Sequence, residues 1–142
     1  MSINLQQNSD GSMGLQGVDY GSGEFLKANF VFTAASANTP FFVASRSLRV
    51  KAINVRLEVA GTDVSAVTAI IRKAASGTAL TAGTALHTGT ANLKGTAATN
   101  QALTLSATDS DLTVAPGTCI AINFTGVLTT VSGCVTIIFC PL

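Results

Sequence analysis

At 142 residues the chain suits one domain, able to bury roughly two thirds of the surface its unfolded form would expose. Hydrophobic residues make up 47% of it and charged residues only 11%, against about 25% in an ordinary soluble domain, so its surface is poor in charge and favours lasting contact with other protein. Net charge is +1, and the basic residues are spread from Lys27 to Lys94 without a run, which excludes binding along a phosphate backbone; apolar stretches such as Val135 to Cys140 fall far short of the roughly 20 residues of a membrane-spanning helix.

Residues 1–24 are rich in Gly, Ser, Gln and Asn, with Ile3, Leu5, Met13, Leu15 and Val18 scattered among them and no sustained period. They read as an extended arm that orders on assembly, the alternative being a disordered tail. No basic segment followed by an apolar one stands between Met1 and Gln7, so no secretory signal is visible and synthesis in the cytoplasm is expected.

From residue 25 onward the pattern predicts an antiparallel β-sandwich. Phe30 and Phe32 point one way, Asn29 and Thr33 the other. A second strand covers Phe41 to Ala44, with Pro40 at its start or at an edge. Phe41 and Phe42 offer an aromatic anchor for a partner; the alternative has one ring inward and the other covered by a loop.

Residues 48–60 alternate clearly, Ile53, Val55, Leu57 and Val59 against Asn54, Arg56 and Glu58, while Leu48 and Val50 hold the opposite parity. The change near Ala52 predicts a bulge or bend. After Gly61-Thr62-Asp63, Val67, Ala69 and Ile71 share a face, and the two segments are expected to form a hairpin. Gly-Thr-Ala recurs at Gly77, Gly83, Gly89 and Gly95, but four hexads are too few to stack a β-helix; short hairpins or edge strands are expected instead.

Further strands are expected at Leu103–Ser106, Leu112–Val114, Ile120–Thr125 and Cys134–Cys140, with Pro116-Gly117 as a turn. The last is apolar on both sides, Val135, Ile137 and Phe139 on one and Cys134, Ile138 and Cys140 on the other. It is therefore either central and covered or part of an interface. Eight or nine short strands without helical period fit a jelly roll, with an immunoglobulin-like sandwich as the alternative. Division into an arm at 1–24 and a sandwich at 25–142 follows.

Chemistry is hard to find in this chain. His87 is the sole histidine and is expected to be exposed. No serine or cysteine stands in a nucleophile motif. Asp109-Ser110-Asp111 lacks the Gly and the distant Glu of a calcium loop, so an Asx turn is the better account. Glu24 and Glu58 are too differently placed to form an acid/base pair. Cys119, Cys134 and Cys140 read as small buried hydrophobes, a Cys119–Cys140 disulfide being the alternative. Asn123-Phe124-Thr125 matches a glycosylation sequon that is silent without a secretory route. No enzyme activity, metal or other cofactor is expected.

The ensemble of a polar arm, the strands from Leu48 to Ala75 with their Gly-Thr-Asp turn, the Gly/Thr/Ala-rich middle, the segment Leu105 to Gly117 and the strand Ile120 to Phe124 resembles the head cement, or decoration, proteins of tailed bacteriophages. Those of jelly-roll type, from short-tailed phages, are the most similar. The resemblance implies a structural virion protein on the outer surface of a capsid. It would be made in the host cytoplasm, bridge adjacent major capsid protein subunits and stabilise the head against the pressure of its DNA. It also implies a homodimer, or else a trimer. Ile3, Leu5, Leu15, Val18, Phe41, Phe42 and Ile138 are the expected capsid or subunit contacts. The competing reading is a receptor- or carbohydrate-binding module of a phage fibre or adhesin, whose sites commonly display Trp and Tyr; this chain has no Trp and one Tyr, Tyr20.

Overall fold

A computed structural model describes residues 25–142 and, as backbone only, two short strands ahead of them, β1 (Leu5–Gln7) and β2 (Met13–Leu15), which pair with each other antiparallel. The remaining strands are β3 (Leu26–Thr33), β4 (Thr39–Val43), β5 (Leu48–Val59), β6 (Thr68–Ala74), β7 (Thr84–Ala85), β8 (Ala91–Asn92), β9 (Thr99–Ala102), β10 (Thr113–Val114), β11 (Cys119–Thr125) and β12 (Ser132–Pro141).

Strands β3 to β12 form two antiparallel sheets. The first runs β10-β5-β12-β3, with β9 also on β5; the second runs β4-β11-β6-β7, with β8 also on β6. Counting each split edge (β9 with β10, β7 with β8) as one strand gives four strands per sheet. From β3 to β6, and again from β10 to β12, each connection carries the chain from one sheet to the other. This is jelly-roll connectivity.

Alternation builds the core. Leu26, Ala28, Phe30 and Phe32 of β3 face inward, as do Val135, Ile137 and Phe139 of β12, against Ala69 and Ile71 of β6 and Ile120 and Ile122 of β11. The expected break in parity is a bulge: Ile138 pairs with Ala52 but Phe139 with Val50, so Lys51 is the extra residue, and Leu48, Val50, Ile53, Val55 and Leu57 all reach the core.

The expected hairpin between residues 48–60 and 67–72 does not form. β5 belongs to the first sheet and β6 to the second, because both strands bury an apolar face and those faces meet across the sandwich rather than side by side. Gly61 anchors the crossing, its N–H donating to the Leu93 carbonyl at 2.8 Å.

The Gly/Thr/Ala-rich middle supplies the edge of the second sheet, as expected of short edge strands. β7 pairs with Arg72 and Lys73, β8 with Thr68 and Ala69, and Leu86, Ala91 and Leu93 are fully buried. Between residues 99 and 114 the strands are shifted from expectation: β9 precedes Leu103, and a single helical turn, Asp109–Leu112, precedes β10. Leu105 makes only an isolated bridge, to His87.

Ala98 has φ +57°, a left-handed conformation that costs a residue with a Cβ roughly 1–2 kcal/mol. Replacing Ala98 with glycine is expected to stabilise the protein by about 0.5–1 kcal/mol once the extra unfolded-state entropy of glycine is subtracted. Urea unfolding of the two forms checks this; a lower midpoint for Ala98→Gly would contradict it.

Candidate functional site

The second sheet is partly covered on its outer side. Ala74 and Ala121 face away from the core yet are buried, and the 3-10 turn Leu80–Ala82 lies against β6 and β11, tied down by the Arg72 guanidinium donating to the Gly83 carbonyl at 2.7 Å. Asn123, on the same face, is 8% exposed, and its amide has no hydrogen-bond partner among the described residues. A folded chain cannot offer this sequon to a glycosyltransferase.

Among the described residues the first sheet carries no such cover. β12 lies at its centre, between β3 and β5; its inner residues are buried while Cys134, Thr136, Ile138 and Cys140 on its outer side are half-buried. Register sets their neighbours: Ile138 lies between Lys27 and Ala52, Thr136 between Asn29 and Asn54, and Cys134 between Val31 and Arg56. Val31 is 71% exposed. Thr136 donates its hydroxyl to the Asn29 amide oxygen at 2.7 Å.

Charges around this face are largely held in internal pairs. Arg56 bonds Glu58 at 3.0 Å, and Arg49 pairs with Asp109. The Arg49 partner draws the Asp109 carboxyl below its usual range through hydrogen bonding and charge, and Asp109 in turn raises Arg49. What remains is a face whose centre is Ile138, Thr136 and Cys134, with exposed Val31 and Lys27 beside it.

Of the residues expected to contact a partner, Ile138 is at the centre of this face. Phe41 and Phe42 both turn into the sandwich, a result that neither expected arrangement describes. Ile120 pairs with Phe42 and Ala121 with Pro40, so Phe41 is the extra residue of a bulge and the two rings share a side. Phe42 stacks on Phe139 at 5.0 Å between centroids, and Phe41 packs on Phe30 at 5.5 Å, closing the sandwich between edge strands β3 and β4. Leu5 and Leu15 are register partners in the β1–β2 ribbon. Ile3 and Val18, and most of the arm, lie outside the described residues. Cys134 lies on the Ile138 side of β12 as expected, whereas Val31 was not foreseen: the alternation of β3 places it outward, but only the β3–β12 register brings it to Cys134.

The candidate chemical groups are engaged in structure. His87 is 4% exposed, a correction to the expectation of a surface side chain: its Nε2 accepts the Ile71 N–H at 3.0 Å. A glycine- and threonine-rich context gave no hint that a ring would replace a main-chain partner. Asp109 and Asp111 belong to the helical turn rather than to an Asx turn, and Asp111 accepts the Ser106 hydroxyl at 2.6 Å. Among the described residues no three His, Cys, Asp or Glu side chains are grouped to hold a metal. All three cysteines are free and half-buried, in strands as expected but less covered, and the alternative Cys119–Cys140 disulfide is not formed.

A shallow cavity of about 290 Å³ lies beside Lys73, Thr78, Thr84, Thr113 and Thr118. Its one cation is already used: the Lys73 ammonium donates to the Ser110 and Thr113 carbonyls, each at 2.6 Å. Burial lowers the lysine's pKa against the opposing pull of Asp111.

These features define an antiparallel jelly-roll sandwich with one sheet face left open among the described residues. In fold it is similar to a chain of the cyanophage Pam1 capsid asymmetric unit, with a TM-score of 0.54 and 14% identity, over 96% of this chain and 98% of that one. A chain from the infectious bursal disease virus Gx strain is matched at TM-score 0.36 and 17% identity, over 81% of this chain and 32% of that one, too low to carry an argument. No protein-family model matches the chain, and no curated protein does.

Proposed function

We propose that this protein is a structural component of a virion that binds the outside of a phage capsid as a cement or decoration protein, bridging adjacent major capsid protein subunits. One observation carries the reading: the jelly roll parallels, from end to end, a chain of the cyanophage Pam1 capsid asymmetric unit. The low charge of the sequence and the open Ile138 face suit repeated contacts that salt does not weaken. A protein that binds only the assembled lattice stabilises it by mass action, and many modest contacts, about 800 Å² per partner for an ordinary specific interface, add up over a lattice.

In this reading the Ile138 face pairs two copies, and residues 1–24 reach a neighbouring subunit through Ile3, Leu5, Leu15 and Val18. Phe41 and Phe42, committed to the core, contribute only what their half-buried rings leave at the β4 edge. The protein performs no catalysis. A receptor- or carbohydrate-binding role in a fibre is the competitor, and no described feature favours it.

Gradient-purified particles resolve the question by image reconstruction. Density for the sandwich is expected on the capsid exterior; density confined to fibres or tail would overturn the proposal. Deleting residues 1–20, or replacing Ile138 with lysine, which would stand directly across from Lys27, is expected to lower capsid occupancy at least about tenfold while leaving the thermal melt of the isolated chain in place. An exposed-face charge that must be buried without a partner costs several kcal/mol. Unchanged occupancy in both variants would sink the assigned contacts.

A further inference from the structure

The second sheet's outer edge is interrupted between β7 and β8, and His87 fills the gap. Leu86 N–H donates to the Ile71 carbonyl at 3.0 Å and Leu93 N–H to the Val67 carbonyl at 2.9 Å, the pattern of an ordinary ladder. The Ile71 N–H, however, meets no carbonyl: its acceptor is Nε2 of the His87 ring. Since Nε2 accepts, the proton resides on Nδ1, which faces the Thr88 carbonyl at 3.2 Å. The ring is thus required to be neutral and in one tautomer.

The same residues close one side of the sandwich. Ser106 N–H donates to the Leu86 carbonyl and Thr88 N–H to the Thr104 carbonyl, while Leu103 N–H donates to the Ile53 carbonyl of β5. Segment 84–106 therefore runs from the second sheet to the first, with His87 at the fastening point. We propose that His87 is a proton-operated latch: taking a proton on Nε2 removes the acceptor of the Ile71 N–H, places a cation in the closed side of the sandwich, and releases segment 84–93 from β6.

The surroundings favour the neutral ring. Burial lowers its pKa; the hydrogen bond to Thr88 opposes this, and the charge of Arg72 on β6 adds to the lowering. Residues 103–106, packed against it, bring no charge, and neither do residues 84–90. With the folded value below the ordinary one of about 6.5, the unfolded chain binds the proton first. Stability is therefore full above about pH 6.5 and falls as pH drops below it. The inference rests on the fold and is independent of any role on a capsid.

Amide hydrogen exchange followed by NMR tests it. Corrected for intrinsic rates, the protection of the Ile71 amide is expected to fall at least about tenfold between pH 7.5 and pH 5, while the β3–β12 ladder on the far side changes far less. His87→Gln supplies an acceptor that does not titrate and is expected to abolish the drop. A pH-independent Ile71 amide in the natural protein, or an undiminished drop in His87→Gln, would overturn the latch. If that variant fails to fold, ring ¹⁵N shifts of the natural protein decide: Nδ1–H above pH 6.5 and a titration below it support the latch, and a titration at or above 6.5 refutes it.

Discussion

Replacing Gly133 with alanine is expected to destabilise the protein by about 3 kcal/mol or more, the upper range for overpacking a core. Gly133 lies in β12 opposite Phe32 and Leu57, at a point where the β5–β12 register shifts. A Cβ built there collides with the Arg56 carbonyl oxygen and comes within 2.7 Å of Phe32 Cζ. Neither obstacle can yield cheaply. The Arg56 carbonyl is backbone in the central ladder, and the Phe32 ring is fully buried and set edge-on to Phe124 at 5.9 Å. The melting temperature is expected to fall on the order of 10 °C; a shift under about 2 °C would show that the strand relaxes around the methyl group.

Phe139→Ala is expected to cost about 3–5 kcal/mol, the range for emptying a buried aromatic site. Phe139 is fully buried in the first sheet and stacks on Phe42 of the second, so its ring fills the space between the sheets where a bulge has turned Phe41 and Phe42 inward together. Phe139→Leu keeps much of the volume and is expected to lose about 1.5 kcal/mol or less. Equilibrium urea unfolding separates the two, with the alanine variant showing at least twice the loss. Equal losses would mean that the stacking, and not the filled volume, holds this part of the core.

Much of the fold was legible because burial here follows alternation. The bulge at Lys51 could be read from two runs of opposite parity, since each run alone named its inward residues. The β4 bulge could not, because Phe41-Phe42 is too short a run to show parity on both sides. The supposed hairpin failed for a related reason: alternation reports which side of a strand is buried and says nothing of which strand lies beside it. A turn sequence such as Gly61-Thr62-Asp63 serves equally for a return within a sheet and a crossing between sheets.

The interaction surface was only partly legible. Ile138 and Cys134 stood out because β12 is apolar on both sides, whereas Val31 joins them through pairing with a residue about a hundred positions away. His87 was misjudged because its neighbours are small and polar. What buries it is a ladder vacancy on β6, which exists only once the edge strand has been laid down.

β12 also governs when this protein can fold. It is the last strand in sequence but the middle of the first sheet, flanked by β3, the first strand of the sandwich, and by β5. During synthesis β3 and β5 have no partner between them until residues 132–141 emerge, and the hydrogen-bonding edges that β12 will join stay unpaired meanwhile. Contacts of such long sequence separation make for slow folding. A ribosome-bound chain stalled before Ser132 should therefore be a substrate for chaperones, whereas a chain extended past Pro141 closes its first sheet in one late, cooperative step.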